Sequence, residues 1–235
     1  MKDLWDKLSE EYAKRKTLTE WILGYKIVKE LLNPKGKKVL DYGCGGGTFT
    51  EYLRNKGAEI IGVDISKEMI KIAKKESNFP EKYHLIEKGD LSLIQNDSYD
   101  AVILTFVLCV IKNNEEIKKV LKNSYSKLKI NGKLITLEPH PNAPGYQFID
   151  VSREKHEKYY EGMPIKVNLK DIQESFHDYW RSIGFYKMHI RKTGFNTIKL
   201  REPLGTKKDG IEWKDETIQA PLLIIKATKQ HQFLN

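Results

Sequence analysis

The chain has 235 residues, 40% hydrophobic and 31% charged, with 41 Lys and Arg against 32 Asp and Glu and a formal net charge of +9. That length suits a single domain with a full core, and two distant cysteines, Cys44 and Cys109, exclude a disulfide scaffold or zinc knuckle and fit a reducing cytoplasm. The longest apolar run, "AVILTFVLCVI" (101–111), is about half of a bilayer span, and the charged N-terminus has no secretory core, so no membrane partner is expected.

The elements are expected in the following order. Apolar residues recur at helical spacing from Leu4 to Leu32, giving two helices broken near residues 17–19, with Thr19 as the cap of the second. "KVLDYG" (38–43) is a short buried strand. "TFTEYLRNKG" (48–57) is a helix stopped by Gly57. "EIIGVDIS" (59–66) is the second strand, and Ser66 caps the helix "KEMIKIAKKES". "YHLIEKGD" (83–90) and "YDAVILTFVLCVI" (99–111) supply strands three and four. An amphipathic helix at 114–129 leads into strand five, "GKLITLEP" (132–139). Strand alternating with helix implies parallel pairing and right-handed crossovers, hence an α/β doubly wound sheet.

Beyond 139 the rhythm changes. Residues 139–170 hold Pro, Gly and aromatics with little periodicity and read as a loop-rich cover. Then come a helix over 170–185, a strand over 186–195 and a last strand over 220–229. The division expected is one domain over 1–235. Residues 1–35 form a helical lead, 36–139 the ligand-binding core, 139–170 an inserted cap, and 171–235 the remaining helix and strands.

"DYGCGGG" (41–47) is the densest glycine stretch, set between strand and helix. Absent side chains let a ligand approach backbone N–H groups at a helix N-terminus. Counted from Gly43 and Gly45, the third glycine of a dinucleotide fingerprint is replaced by Thr48, and no lysine follows as a P-loop requires. What remains, an acid followed by G-x-G-x-G, resembles the first motif of class I S-adenosylmethionine (SAM)-dependent methyltransferases. "GVDIS", "KGDLSLI", "YDAVILTFVLCVI" and "LKINGKLITLEP" continue the resemblance in register over about residues 36–139.

The resemblance implies a seven-stranded, mostly parallel sheet and SAM as cofactor, with S-adenosyl-L-homocysteine as product. It implies that Asp64 takes the ribose hydroxyls, Asp90 and Leu91 lie at the adenine, and Thr105, Phe106 and Val107 form the floor. Asp41, Gly43, Cys44, Gly45 and Gly47 would surround the methionine end, Ile65 and Met69 would flank the ribose and adenine, and Tyr12 would close over the site. Cys44 and Cys109 are otherwise read as filler and core.

Methyl transfer needs an acceptor held in line, and a base only if the acceptor must lose a proton. Glu138 and His140, just past strand five, are the candidates; His140 is equally a loop histidine beside prolines. No cluster of His and acids suggests a metal, and no "NPPY"-type tetrapeptide follows strand four. The expected acceptor is a small molecule methylated on N, O or C by a monomer or homodimer. Because the positive charge is nearly all lysine, with six scattered arginines, solvated faces are favoured over a nucleic-acid footprint. An RNA or protein methyltransferase, and a non-catalytic SAM-binding protein, stay open as alternatives.

Overall fold

The computed structural model describes residues 2–13, 15, 17–87, 89–172 and 174–230. Helix α1 (Lys2–Ala13) precedes a π-helical turn, Thr19–Tyr25, that runs directly into α2 (Lys26–Leu32). Then follow β1 (Lys38–Tyr42), α3 (Thr48–Asn55), β2 (Glu59–Asp64), α4 (Lys67–Glu76), β3 (Tyr83–Leu85), β4 (Tyr99–Thr105), α5 (Asn114–Lys127) and β5 (Leu128–Pro139). The C-terminal part holds β6 (Val151–Arg153), β7 (Pro164–Leu169), β8 (Phe176–Tyr179), α6 (Ile183–Lys192), β9 (Phe195–Arg201) and β10 (Leu222–Lys229).

Seven strands form one sheet in the order β3-β2-β1-β4-β5-β10-β9. Its first five strands are parallel, and β10 runs antiparallel between β5 and β9. Period-two alternation sends side chains to both faces, as a doubly covered sheet requires. Val39, Ala101, Ile103, Leu137 and Ile224 pack with α2 and α3 on one side. Leu40, Val102, Leu104, Leu134 and Ile225 pack with α5 and α6 on the other. The strand order reverses beside β1, so β1 and β4 part above their C-terminal ends and leave a crevice there.

Three expectations need correction. Thr19 does not cap a helix with its side chain: its N–H donates to Asp150 Oδ2 at 2.8 Å and its hydroxyl to Glu216 Oε1 at 3.3 Å, tying the chain to the cap and the C-terminal region. The cap is not loop-rich throughout. It contains the antiparallel sheet β6-β7-β8, and "PIKVNL" buries Ile165, Val167 and Leu169 while exposing Pro164, Lys166 and Asn168. Val167 and Leu169 join a cluster with Leu8, Phe148 and Phe176, and Ile165 is buried outside it.

The third correction reverses the helix at 170–185 and the strand at 186–195. Phe176 to Tyr179 is strand, paired with β7 from Val167↔Phe176 to Pro164↔Tyr179. The helix starts later, where the Ser182 side chain accepts from Phe185 N, and Gly194 at φ 109° ends the region before β9. Phe185, Tyr186, His189 and Ile190 are the buried stripe of that helix. The apolar spacing of 172, 176 and 180 mimicked a helix, and pairing with β7 overrode it.

Candidate functional site

At the C-terminal end of β1 the chain turns sharply, and the N–H groups of Gly43 and Cys44 both donate to Val63 O, at 2.7 and 3.0 Å. Two glycines here have distinct physical reasons. Gly43 sits at φ 87°, and a Cβ there would lie 2.4 Å from Val107 Cγ2. At Gly46 a Cβ would meet Ala13 Cβ at 2.6 Å, so α1 packs directly on the turn. Gly47 borders the Tyr83 ring.

Asp64 ends β2. Its Oδ2 accepts from Gly45 N at 2.9 Å and its Oδ1 from Ser66 N at 2.8 Å, so the carboxylate is clamped between the turn and the start of α4. Burial pushes its pKa up despite these bonds. Ser66 caps α4 as expected, accepting from Met69 N, and its hydroxyl donates to Asp6 Oδ1 at 2.6 Å. Asp6 of α1 also accepts from Glu68 N, placing a carboxylate at the N-terminus of α4. Its pKa is lowered chiefly by the Ser66 hydroxyl.

These elements enclose a cavity of about 840 Å³. Tyr12, Gly43, Gly45, Asp64, Ile65, Met69, Thr105, Phe106 and Val107 all line it, as expected of a single site. Phe106 holds φ 57°, uncommon for a bulky residue, with its N–H on Leu137 O at 2.7 Å. Five of the expected ligand residues stand elsewhere. Asp41 is buried beneath the turn, where Oδ2 accepts from the Thr50 hydroxyl at 2.6 Å and Oδ1 has no partner; burial raises its pKa to about 7. Cys44 packs with Ile70, Ala73 and Tyr83, and burial raises its thiol pKa well above the ordinary value. Gly47 starts the next helix. Asp90 is exposed and binds Ser92 N and Oγ, and Leu91 turns into the core.

The cavity has walls that the sequence did not mark. Glu87 stands at the exit of β3, where Asp90 was expected, beside Leu85, Ile86 and Gly89. Tyr42 lies under that loop and donates its hydroxyl to Gly89 O at 3.2 Å. Trp5 of α1, and Glu116, Lys119 and Val120 of α5, complete the rim. Glu87 sits only three residues before Asp90; no spacing rule separates the two without the loop's path.

Neither proposed base borders this cavity. Glu138 is fully buried and accepts from Leu108 N at 3.2 Å and Cys109 N at 3.0 Å; burial is the dominant effect and raises its pKa to about 8. His140 pairs Nε2 with Glu202 Oε2 at 2.8 Å, and its Nδ1 accepts from Asn142 N at 3.1 Å. Among the described residues no group of His, Cys and acids could hold a metal ion, and no helix is long and apolar enough to cross a membrane.

The geometry fits SAM. The volume falls in the range of about 300–1,000 Å³ typical of ligand sites. Each Asp64 oxygen has spent one lone pair on backbone and keeps one for a vicinal diol. Ile65, Ile86 and Val107 supply apolar walls for a flat base.

The comparisons with known proteins agree. A family model described as a methyltransferase domain matches residues 12–190. An N-demethylindolmycin N-methyltransferase of Streptomyces griseus is 24% identical over 81% of this chain and 85% of its own. A ubiquinone biosynthesis O-methyltransferase of Coxiella burnetii is 29% identical, over 55% of each chain. The crystal structure of a putative S-adenosylmethionine-dependent methyltransferase from Listeria monocytogenes superposes with a TM-score of 0.65 at 24% identity, covering 89% of this chain and 99% of that one. The protein belongs to the methyltransferase-domain family and has the class I SAM-dependent methyltransferase fold.

Proposed function

We propose that this methyltransferase acts on a small-molecule acceptor, and that the cavity above β1, β2 and β4 is where it holds its cofactor. The observation that carries the reading is the convergence of Gly43, Gly45, Asp64 and residues 105–107 on one cavity that α1 borders through Trp5 and Tyr12. SAM supplies an electrophilic methyl group on a sulfonium. The chain's own part is to bind and orient. Asp64 would take the ribose hydroxyls, and Glu87, which lines the cavity where Asp90 does not, would be the acid at the adenine end. Trp5 and Tyr12 would exclude water from the transfer site, where positioning of the two reactants provides much of the rate.

Glu138 and His140 are better suited to positioning than to proton transfer. Glu138 anchors the loop after β4 through Leu108 and Cys109, and His140 orders the entry to the cap. An acceptor with a free lone pair would need no base from either. Similarity to an N-demethylindolmycin N-methyltransferase and to a ubiquinone biosynthesis O-methyltransferase favours a small acceptor over a polymer. The test is incubation with methyl-labelled SAM and fractions of cell extract separated by size. Label in low-mass products is expected; label only in RNA or protein would overturn the proposal.

A further inference from the structure

A second, much smaller cavity of about 30 Å³ lies between α1, the π-helical turn and the cap sheet. It shares Trp5, Tyr12, Phe106 and Val110 with the large cavity, so the two are neighbours across one aromatic wall. Arg15 and Arg153 both line it, and both are more than nine-tenths buried. Arg15 donates Nε to Asp171 at 2.7 Å and Nη1 to Glu20 at 3.1 Å, but its Nη2 has no partner. Arg153 donates Nε to Asp178 at 3.0 Å, but its Nη1 has no partner. Two orphaned, buried guanidinium nitrogens at one cavity are costly unless something accepts from them.

We propose that this cavity is the acceptor's recognition subsite, and that it takes a neutral carbonyl oxygen of the acceptor between Arg15 and Arg153. The inference rests on the cofactor site proposed above, because it makes the shared aromatic wall the place where acceptor meets donor. The charges select the oxygen's kind. Arg15 already pairs with Glu20 and Asp171 and Arg153 with Asp178, and Asp150 also lines the cavity, so acids outnumber the two arginines and an added carboxylate would be repelled. An ammonium group would leave the guanidinium hydrogens unmet. A ketone, amide or lactam oxygen satisfies them without new charge. The cavity holds two or three water-sized spheres at about 10–15 Å³ each. It therefore accommodates an end group, and the rest of the molecule would extend past Tyr12 and Phe106 towards the large cavity.

The test uses four probes of similar shape: acetophenone, ethylbenzene, benzoate and benzylamine, titrated by ligand-observed NMR with and without S-adenosylhomocysteine. Acetophenone is expected to bind at least tenfold tighter than each of the others. Tighter binding of benzoate or benzylamine, or equal binding of all four, overturns the proposal. In the charge-balanced double variant Arg153→Gln, Asp178→Asn the ketone preference should fall to within about threefold of ethylbenzene. A preference that persists there overturns it. Arg153→Lys, which keeps the charge but not the fork, should show the same loss and serves if the double variant fails to fold. Calorimetry of S-adenosylhomocysteine is run separately. Its failure would remove the cofactor reading, while the ketone preference without cofactor would still decide the subsite.

Discussion

Asp64 and Asp41, two aspartates 23 positions apart in sequence, occupy neighbouring strand ends and do different work. Asp64 presents its remaining lone pairs to the large cavity, so Asp64→Ala should weaken SAM by about 1.5–3 kcal/mol, the scale of bonds to a charged group. Calorimetry of the folded variant checks this, and unchanged affinity would move the ribose elsewhere. Asp41 is buried, with one oxygen unpartnered. The unfolded chain ionises it near 3.8, whereas the folded chain retains the proton to about 7. Its contribution is therefore full below the unfolded value and is lost as pH rises from about 4 to about 7, by up to about 4 kcal/mol. Asp41→Asn should flatten that decline. Urea midpoints at pH 5 and pH 8 should differ less in the variant than in the parent; an equal difference would mean that Asp41 ionises in place.

Helix α1 is the element on which the site most depends. Asp6 fixes it to the start of α4, Ala13 rests on Gly46, Leu8 joins the cap cluster, and Trp5 and Tyr12 face both cavities. Gly46→Ala should lift α1 off the turn at a cost of about 1–3 kcal/mol for overpacking. Hydrogen exchange should then show α1 losing protection while β1 and β4 keep theirs. In the parent protein, S-adenosylhomocysteine should protect α1 more than it protects β7, which already pairs on both sides. Equal gains in both would mean that the cap closes on cofactor together with α1.

Over the whole molecule, the +9 charge is the one property that points away from a small acceptor. Three of the lysines are engaged within the fold and not presented to a polyanion: Lys127 reaches Ile94 O and Asn96, Lys129 pairs with Asp100, and Lys229 pairs with Asp97 and two carbonyls. Turnover on the small acceptor should therefore change little between 50 and 200 mM salt, figures at which about 6–10 phosphate contacts would cost roughly 10³–10⁵ in affinity. A steep fall in activity with salt, measured in the same assay, would favour a nucleic-acid acceptor.

The α/β order, the glycine turn, the Ser66 cap and Asp64 were legible in the sequence because each depends on local chemistry: strand periodicity, a positive φ, a hydroxyl before a helix, an acid at a strand end. The same information left residues 139–195 misassigned, since β8 is strand only through its pairing with β7, and Thr19 serves the cap rather than its own helix. Nor did it distinguish Glu87, which lines the cavity, from Asp90, which does not. Both acids fit the spacing, and only the path of the loop over Tyr42 turns one to the cavity and the other to Ser92. Arg15 and Arg153 lie 138 positions apart and carry no motif. Folding the cap onto α1 is what buries them at one cavity, because unpaired N–H groups acquire meaning only once water has been excluded from them.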